Sequence, residues 1–368
     1  MKEIKKIIIY LPNLRGGGAE KVYLNLANHW VSQGINVVFL LNKKEGEYLE
    51  FVNKKIKIID LKINRIRQGF LKLPFIFKKE KASICIVAMW PLTSIVIILF
   101  RLFFIKTKLI VSDHVNLEKS IMKETSINLN LFKFILKITY PLADGIICVS
   151  KGVKSQIYKI TNIENNKIKV IYNPIIKNIK FDNLFNLKKF KKFSKKTVLS
   201  VGTLKEQKNH QFLIKVFSKI DKNIDTQLII LGSGPLKNKL NNLIKDLNET
   251  KRIFIIDFDT NVLEYYLKSH IFVLSSEWEG FGNVIVEAMY CGLDIISSNC
   301  DYGPEEILEN GNYGTLYTKN NENELLTALN KLINKKEFIF NEKNYFKSFE
   351  FSISKISKQY INYFNKIL

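Results

Sequence analysis

The feature that most constrains the fold of this chain is an alternation running through nearly all of it. A short apolar run is followed by a turn and then by a segment with helical spacing. In the first half the apolar runs fall at residues 6–11, 37–41, 56–61, 84–88, 108–112 and 145–149. In the second half they fall at 197–202, 228–231, 253–256 and 271–274, with another just before Ser297. Continuous apolar runs of this length suit strands buried on both faces. Repeated strand–helix units build a parallel sheet covered by helices on both sides, so the expected class is α/β. With 368 residues, 46% of them hydrophobic, the chain can fill two such cores.

The division between them is marked by Asn173-Pro174, a pair that disfavours helix. A polar, basic stretch without periodicity follows. We therefore expect a first domain over residues 1–174, a linker over 175–196 and a second domain over 197–344. Residues 345–368 carry aromatic and apolar side chains at helical spacing.

Open α/β sheets bind ligands at the carboxyl ends of their strands, so the turns there are the places to look. The most informative is Ser275-Ser276-Glu277-Trp278-Glu279-Gly280-Phe281-Gly282-Asn283-Val284, which leads into a helical segment containing Glu287. Gly280 and Gly282 let backbone approach a bound group. The amides of Gly282, Asn283 and Val284 lie at a helix N-terminus, where unpaired N–H groups and the dipole favour phosphate. Glu279 and Glu287 cannot hold phosphate, so they are expected to take hydroxyls on either side of it. Ribose, diphosphate and sugar in a nucleotide-sugar have that layout.

Ser276-x-x-Glu279-Gly280-Phe281-x-Asn283-x-x-x-Glu287-Ala288-Met289 resembles the E-x7-E motif of retaining glycosyltransferases, specifically the large family that builds bacterial lipid-linked and polysaccharide glycans. The resemblance implies the GT-B fold: two Rossmann-like domains with parallel sheets facing a central cleft, and a last helix returning to the first domain. It implies that Glu279 faces the donor sugar and that Glu287 binds the ribose. Residues 202–209, Gly-Thr-Leu-Lys-Glu-Gln-Lys-Asn, are similar to the family's Gly-Arg-Leu-x-x-Gln-Lys-Asn segment, and Lys208 takes the place of a lysine that clamps the donor diphosphate. Gly232-Ser233-Gly234-Pro235-Leu236 matches a turn beside the nucleotide. Asp257-Phe258-Asp259 is read as a loop beside the base, with Phe258 as the contact. Asp-x-Asp is also a metal motif of the other glycosyltransferase fold, but its place late in a repeating α/β array argues against that, and no metal or other cofactor is assigned.

In the first half, Gly17-Gly18-x-Glu20 resembles the loop that approaches donor and acceptor. The plain alternative for Glu20 is a first-turn carboxylate complementing a helix dipole. His114, in Ser112-Asp113-His114-Val115-Asn116, resembles a histidine that contacts the donor sugar, although a lone histidine is commonly structural. The catalytic set the resemblance implies is thus Glu279, His114 and Lys208. Two departures stand out: Thr203 occupies an arginine position, and Glu305 stands where relatives commonly have arginine. Each removes a cation from the nucleotide side.

The implied activity is transfer, with retention, of a hexose or N-acetylhexosamine from a UDP-sugar to a growing lipid-linked glycan. Two other readings stay open: a GT-B epimerase of UDP-sugars, and an inactive homologue that binds nucleotide-sugar. The net charge is +23. Basic residues are spread along the chain with no nucleic-acid-binding signature, so an anionic membrane surface is the expected partner and nucleic acid is not. Residues 84–105 are apolar enough to raise a membrane span, but Pro91 and Arg101 interrupt them. A buried strand, a turn and an apolar helix over 92–104 fit better, and that helix could anchor at an interface through Phe103 and Phe104. Residues 1–11 read as a first strand, not a signal peptide. The four cysteines are far apart and fit a reducing cytosol. The location implied is the inner face of the plasma membrane.

Overall fold

Most of the apolar runs become strands buried along their length, because helices cover both faces of the sheet there, whereas the edge runs Lys57–Asp60 and Ile253–Ile256 are only partly buried. A computed structural model describes residues 4–64, 66–164, 166–177, 191–259 and 261–368. Of the expected linker, residues 178–190 lie outside the described residues.

The chain divides into two units, one formed by Met1–Ile175 with Phe351–Leu368 and the other by Ile176–Glu350. The first contains strands β1 (Lys6–Leu11), β2 (Asn36–Leu41), β3 (Lys57–Asp60), β4 (Ile84–Ala88), β5 (Lys108–Asp113), β6 (Gly145–Cys148) and β7 (Ile168–Val170). They form one sheet in the order β3-β2-β1-β4-β5-β6-β7, every pair parallel. The second contains β8 (Lys196–Val201), β9 (Thr226–Leu231), β10 (Ile253–Ile256), β11 (Ile271–Leu274), β12 (Asp294–Ser298) and β13 (Thr315–Tyr317), ordered β10-β9-β8-β11-β12-β13 and again all parallel. Each sheet reverses its winding once. The reversal lies between β1 and β4, where Ile7 pairs with Ile84, and between β8 and β11, where Val198 pairs with Ile271. At such a point the helices leaving the two strands go to opposite faces and leave a crevice beyond the carboxyl ends. These two places position the candidate site residues.

The core of the first unit includes the end of the chain. Trp30, on the helix Gly18–Ser32, stacks edge-on against Tyr360 and Phe364 of the helix Ile353–Ile367, with ring centroids 5.9 and 5.8 Å apart. Its indole N–H donates to Ser357 Oγ at 2.9 Å. Tyr363 OH donates to the carbonyl of Lys167 and accepts from the amide of Ile146. Burying each large ring contributes roughly 1.5–3 kcal/mol, so the terminal helix is an integral part of this unit. Tyr345, by contrast, stays in the second unit on the shorter helix Glu342–Ser348, packed against Tyr290 and Phe340.

Several local expectations need correction. The first helix starts at Gly18, so Gly18, Ala19 and Glu20 are its first turn and not loop. The apolar helix ends at Leu102, and most of its residues are core: Leu92, Val96, Ile97, Leu99 and Phe100 are buried. Among the described residues no helix is long and apolar enough to cross a membrane.

Candidate active site

In the second unit the groups singled out in the sequence converge on the crevice between β8 and β11. The turn after β8 carries Thr203 and Lys208, and the turn after β11 carries Glu279. Lys208 Nζ meets Glu279 Oε1 at 2.5 Å, with the two side chains only 15% and 8% exposed. Ser276 Oγ donates to the same oxygen at 2.6 Å. The two turns are laced together by further bonds. Ser275 Oγ donates to the Lys208 carbonyl at 2.8 Å, the Glu277 amide to the Gln207 carbonyl at 2.8 Å, and Gln207 Nε2 to the Trp278 carbonyl at 2.9 Å. Asn209 Nδ2 donates to Glu277 Oε1 at 2.7 Å. Ser298, at the end of β12, supports Ser276 from behind by donating to its carbonyl at 2.7 Å. A largely buried ammonium is therefore held beside a buried carboxylate by turns that cannot shift independently.

The turn after β9 closes against the turn after β8. A Cβ at Gly232 would lie 2.0 Å from the Gly202 carbonyl oxygen, and one at Gly234 would lie 2.6 Å from that of Leu204. Only glycine allows this approach. The Leu204 amide donates to the Ser233 carbonyl at 3.0 Å. Phe258 joins the cluster through its amide, which donates to Ser233 Oγ at 3.0 Å, and its ring is partly exposed. The first Asp of the Asp-x-Asp run is committed elsewhere: Asp257 bonds Lys237 at 2.6 Å, and that ammonium holds its carboxyl below the usual carboxylate range.

Gly282 sits at φ +103°, a conformation that side chains resist, and opens the helix Asn283–Tyr290. The amides of Asn283 and Val284 lie in the first turn, where no carbonyl of the same helix can reach them. Phe281 is buried and braces the turn. Glu287 lies one turn further along. Its Oε2 accepts from Tyr266 OH at 3.0 Å, a contact sequence reasoning missed. Burial and the Glu287 charge push the Tyr266 hydroxyl well above its ordinary pKa, so it stays a donor and fixes the carboxylate. Its only sequence signal was an aromatic at helical spacing just ahead of β11. Cys300 is inert: burial, reinforced by Glu279, pushes its thiol up to about 12. Burial, with Lys208 nearby, lowers His210 to about 3.

Thr203 and Lys205 are both exposed on the turn after β8, and Glu305 is exposed in the short helix Pro304–Ile307. Of the two lysines on that turn, Lys208 is thus the one set deeper.

In the first unit, Gly17 caps the helix Gly18–Ser32 just beyond β1. The Glu20 carboxylate folds back over it, so that a Cβ on Gly17 would fall 2.2 Å from Oε2. Burial raises that carboxyl to about 7. His114 follows β5. Its Nε2 lies 3.0 Å from Ser112 Oγ and 3.3 Å from Tyr23 OH, and its ring meets that of Tyr23 edge-on at 5.3 Å. Burial lowers it to about 3, so the imidazole is neutral at physiological pH. Asp113 is buried beside it, raised by burial to about 7, with Oδ1 accepting from Tyr140 OH at 3.0 Å.

In the second unit a lysine, two glutamates and a helix N-terminus are thus gathered at the switch point of a doubly wound sheet. Residues 183–348 match the family model of group 1 glycosyl transferases, and residues 16–177 match that of glycosyltransferase family 4. The second unit thus carries a group 1 glycosyl transferase domain and the first a glycosyltransferase family 4 domain, and the chain has the GT-B fold. It is 29% identical over 90% of both chains to the Campylobacter jejuni enzyme N-acetylgalactosamine-N,N'-diacetylbacillosaminyl-diphospho-undecaprenol 4-alpha-N-acetylgalactosaminyltransferase. Among solved structures it resembles a glycosyltransferase from Rickettsia africae, with TM-score 0.79 and 19% identity, covering 100% of this chain and 99% of that one. It also resembles Anabaena HepE in complex with UDP and glucose, with TM-score 0.77 and 16% identity, covering 98% and 100%.

Proposed function

We propose that this chain transfers an N-acetylhexosamine or hexose from a UDP-sugar to a growing lipid-linked glycan, with retention at the anomeric carbon. The observation that carries the reading is the Lys208–Glu279 pair beside the helix Asn283–Tyr290, with Glu287 held by Tyr266. UDP is favoured because HepE was crystallised with it. A lipid-linked acceptor is favoured because the Campylobacter relative is named for a diphospho-undecaprenol one.

In this reading the diphosphate lies over the amides of Gly282, Asn283 and Val284, with the Lys208 ammonium beside it. Glu287 takes the ribose hydroxyls and Glu279 orients the sugar. The bond between C1 and the diphosphate oxygen breaks as the acceptor oxygen bonds C1 from the same face, and the acceptor proton passes to the departing diphosphate. Charge on that leaving group is what Lys208 and the amides stabilise, so orientation and electrostatics supply most of the acceleration. No enzymic base is required. The neutral His114 is suited to donating or accepting a single hydrogen bond to a sugar hydroxyl. The setting proposed is bacterial surface polysaccharide synthesis at the inner face of the plasma membrane.

The test is incubation with a panel of UDP-sugars and membrane lipid extract, read by mass spectrometry and by NMR of the new anomeric centre. A glycolipid product with the donor's anomeric configuration is expected. An inverted centre would refute retention. Interconversion of UDP-sugars without acceptor would replace transfer by epimerisation. UDP binding without any turnover would make the chain a binding homologue, the outcome that Thr203 and Glu305 would then explain.

A further inference from the structure

Strand β5 ends in Ser112 and Asp113, with His114 next in the chain. Alternation along an extended segment sends Ser112 and His114 to one face of the sheet and Asp113 to the other. Their partners follow that division. Asp113 bonds Tyr140, whereas Ser112 and His114 turn toward Tyr23, which shares a core cluster with Ile110 and Tyr360. On that side a single ring nitrogen takes both polar contacts. Nε2 of His114 has Ser112 Oγ at 3.0 Å and Tyr23 OH at 3.3 Å. The Tyr23 ring, edge-on at 5.3 Å, fixes the tilt of the imidazole. Nδ1 is buried as well, yet it has no hydrogen-bond partner among the described residues. Nε2 is thus committed to the protein, and Nδ1 is the nitrogen left for a ligand.

A neutral imidazole has one N–H, so one of its nitrogens donates and the other accepts. Which does which is set by the groups around Nε2, and these are hydroxyls. Ser112, Tyr23 and Tyr360 cluster there, each bringing a proton that needs an acceptor. Burial, with Tyr360 beside it, holds the Tyr23 hydroxyl well above its ordinary pKa, so its proton stays in place. An imidazole nitrogen is a stronger base than a hydroxyl oxygen, and a phenol donates better than it accepts. An Nε2–H would therefore leave the hydroxyl protons only one another's oxygens, whereas a bare Nε2 gives one of them its best acceptor. We infer that Tyr23 and Ser112 are positioning residues that hold His114 as the Nδ1–H tautomer, so that Nδ1 presents a hydrogen-bond donor to an oxygen of the sugar. The direction bears on specificity. Such a donor takes an oxygen through its lone pair and rejects an ammonium group, which has none. The inference deepens the role given to His114 and rests on the proposed function for the sugar, but the tautomer can be read with no substrate present.

The experiment is long-range proton–nitrogen correlation NMR of the full chain, isotope-labelled at histidine, at neutral pH and without substrate. The chain has four histidines, and the pattern missing from His114→Gln belongs to His114. We expect its proton on Nδ1 in wild type. The double variant Tyr23→Phe, Ser112→Ala removes both hydroxyls while keeping the edge-on ring. It should move the proton to Nε2, the form a neutral histidine prefers when nothing constrains it. The same variant should lose about tenfold in kcat/KM, the worth of one hydrogen bond, with UDP affinity equal to wild type. Should it fail to fold, Tyr23→Phe alone replaces it, and a raised fraction of Nε2–H is expected. A proton on Nε2 in wild type, a folded variant that keeps the wild-type tautomer, or a shifted tautomer with unchanged kcat/KM would each overturn the inference. A wild-type chain that shows Nδ1–H and transfers no sugar would refute the enzymatic reading while upholding the tautomer.

Discussion

The two units share a strand order and a switch point, yet they treat ionisable groups there in opposite ways. In the second unit the crevice holds Lys208 and Glu279 as an ion pair, with Ser276 bonded to the same carboxylate oxygen. In the first unit the groups at the strand ends are buried or half-buried, and among the described residues none of them is in an ion pair. Asp113 and Glu20 are raised to about 7 and His114 is lowered to about 3, each mainly by burial. Asp113 Oδ2, His114 Nδ1 and Trp90 Nε1 have no hydrogen-bond partner among the described residues. The same fold thus provides one charged site and one nearly neutral one. The difference arises in the turns. The second unit supplies cation and anion from two turns tied together, whereas the first supplies its groups from a strand end and a helix start already covered by core.

The largest expected effect comes from neutralising one side of the charged site. Glu279→Gln keeps the shape but removes the ion pair, and we predict a loss of transfer rate of about 10²–10³-fold, with UDP affinity nearly unchanged. The same rate loss in His114→Ala, with no loss in Glu279→Gln, would reverse the roles given to the two units. Next comes the neutral site. The folded pKa of Asp113, about 7, lies above an unfolded value near 4. The native state therefore holds an extra proton between those values, and stability falls as pH rises through that window. Asp113→Asn removes the titration. Relative to wild type, it should gain roughly 2–3 kcal/mol in chemical unfolding on going from pH 5 to pH 8. A constant difference between the two pH values would mean that Asp113 is not held protonated. The smallest effect is expected from Thr203→Arg. A guanidinium on this exposed turn could add a charged hydrogen bond to the diphosphate, worth at best ~1.5–3 kcal/mol, and tighten UDP binding. Weaker binding by the folded variant would show that the turn is built around threonine.

Much of this was legible in the sequence because it rests on local patterns. Strands β1, β10 and β11 fall where their apolar runs lie, since a run covered on both faces needs no partner to be recognised. The turn from Ser275 to Gly282 and the helix bearing Glu287 were equally readable, because glycines and a helix start mark them. Edge strands β7 and β13 have three residues each, too few for a periodic signal. The partners within the site were hidden for another reason: Lys208 meets Glu279, Tyr266 meets Glu287 and Tyr23 meets His114 only after the chain folds. That the apolar residues of the helix Leu92–Leu102 are mostly core was not legible, because hydropathy counts apolar residues without saying which side of a helix they occupy.

The central claim is that the nucleotide is bound by the charged switch point of the second unit, with Glu287 as its ribose contact. Calorimetric titration of UDP into wild type, Glu287→Ala and His114→Ala tests it most directly. The account predicts at least about a tenfold weaker Kd in Glu287→Ala, the loss of one charge-assisted hydrogen bond, and a Kd in His114→Ala equal to wild type. Unchanged UDP affinity in Glu287→Ala, or an equal loss in both variants, would contradict it.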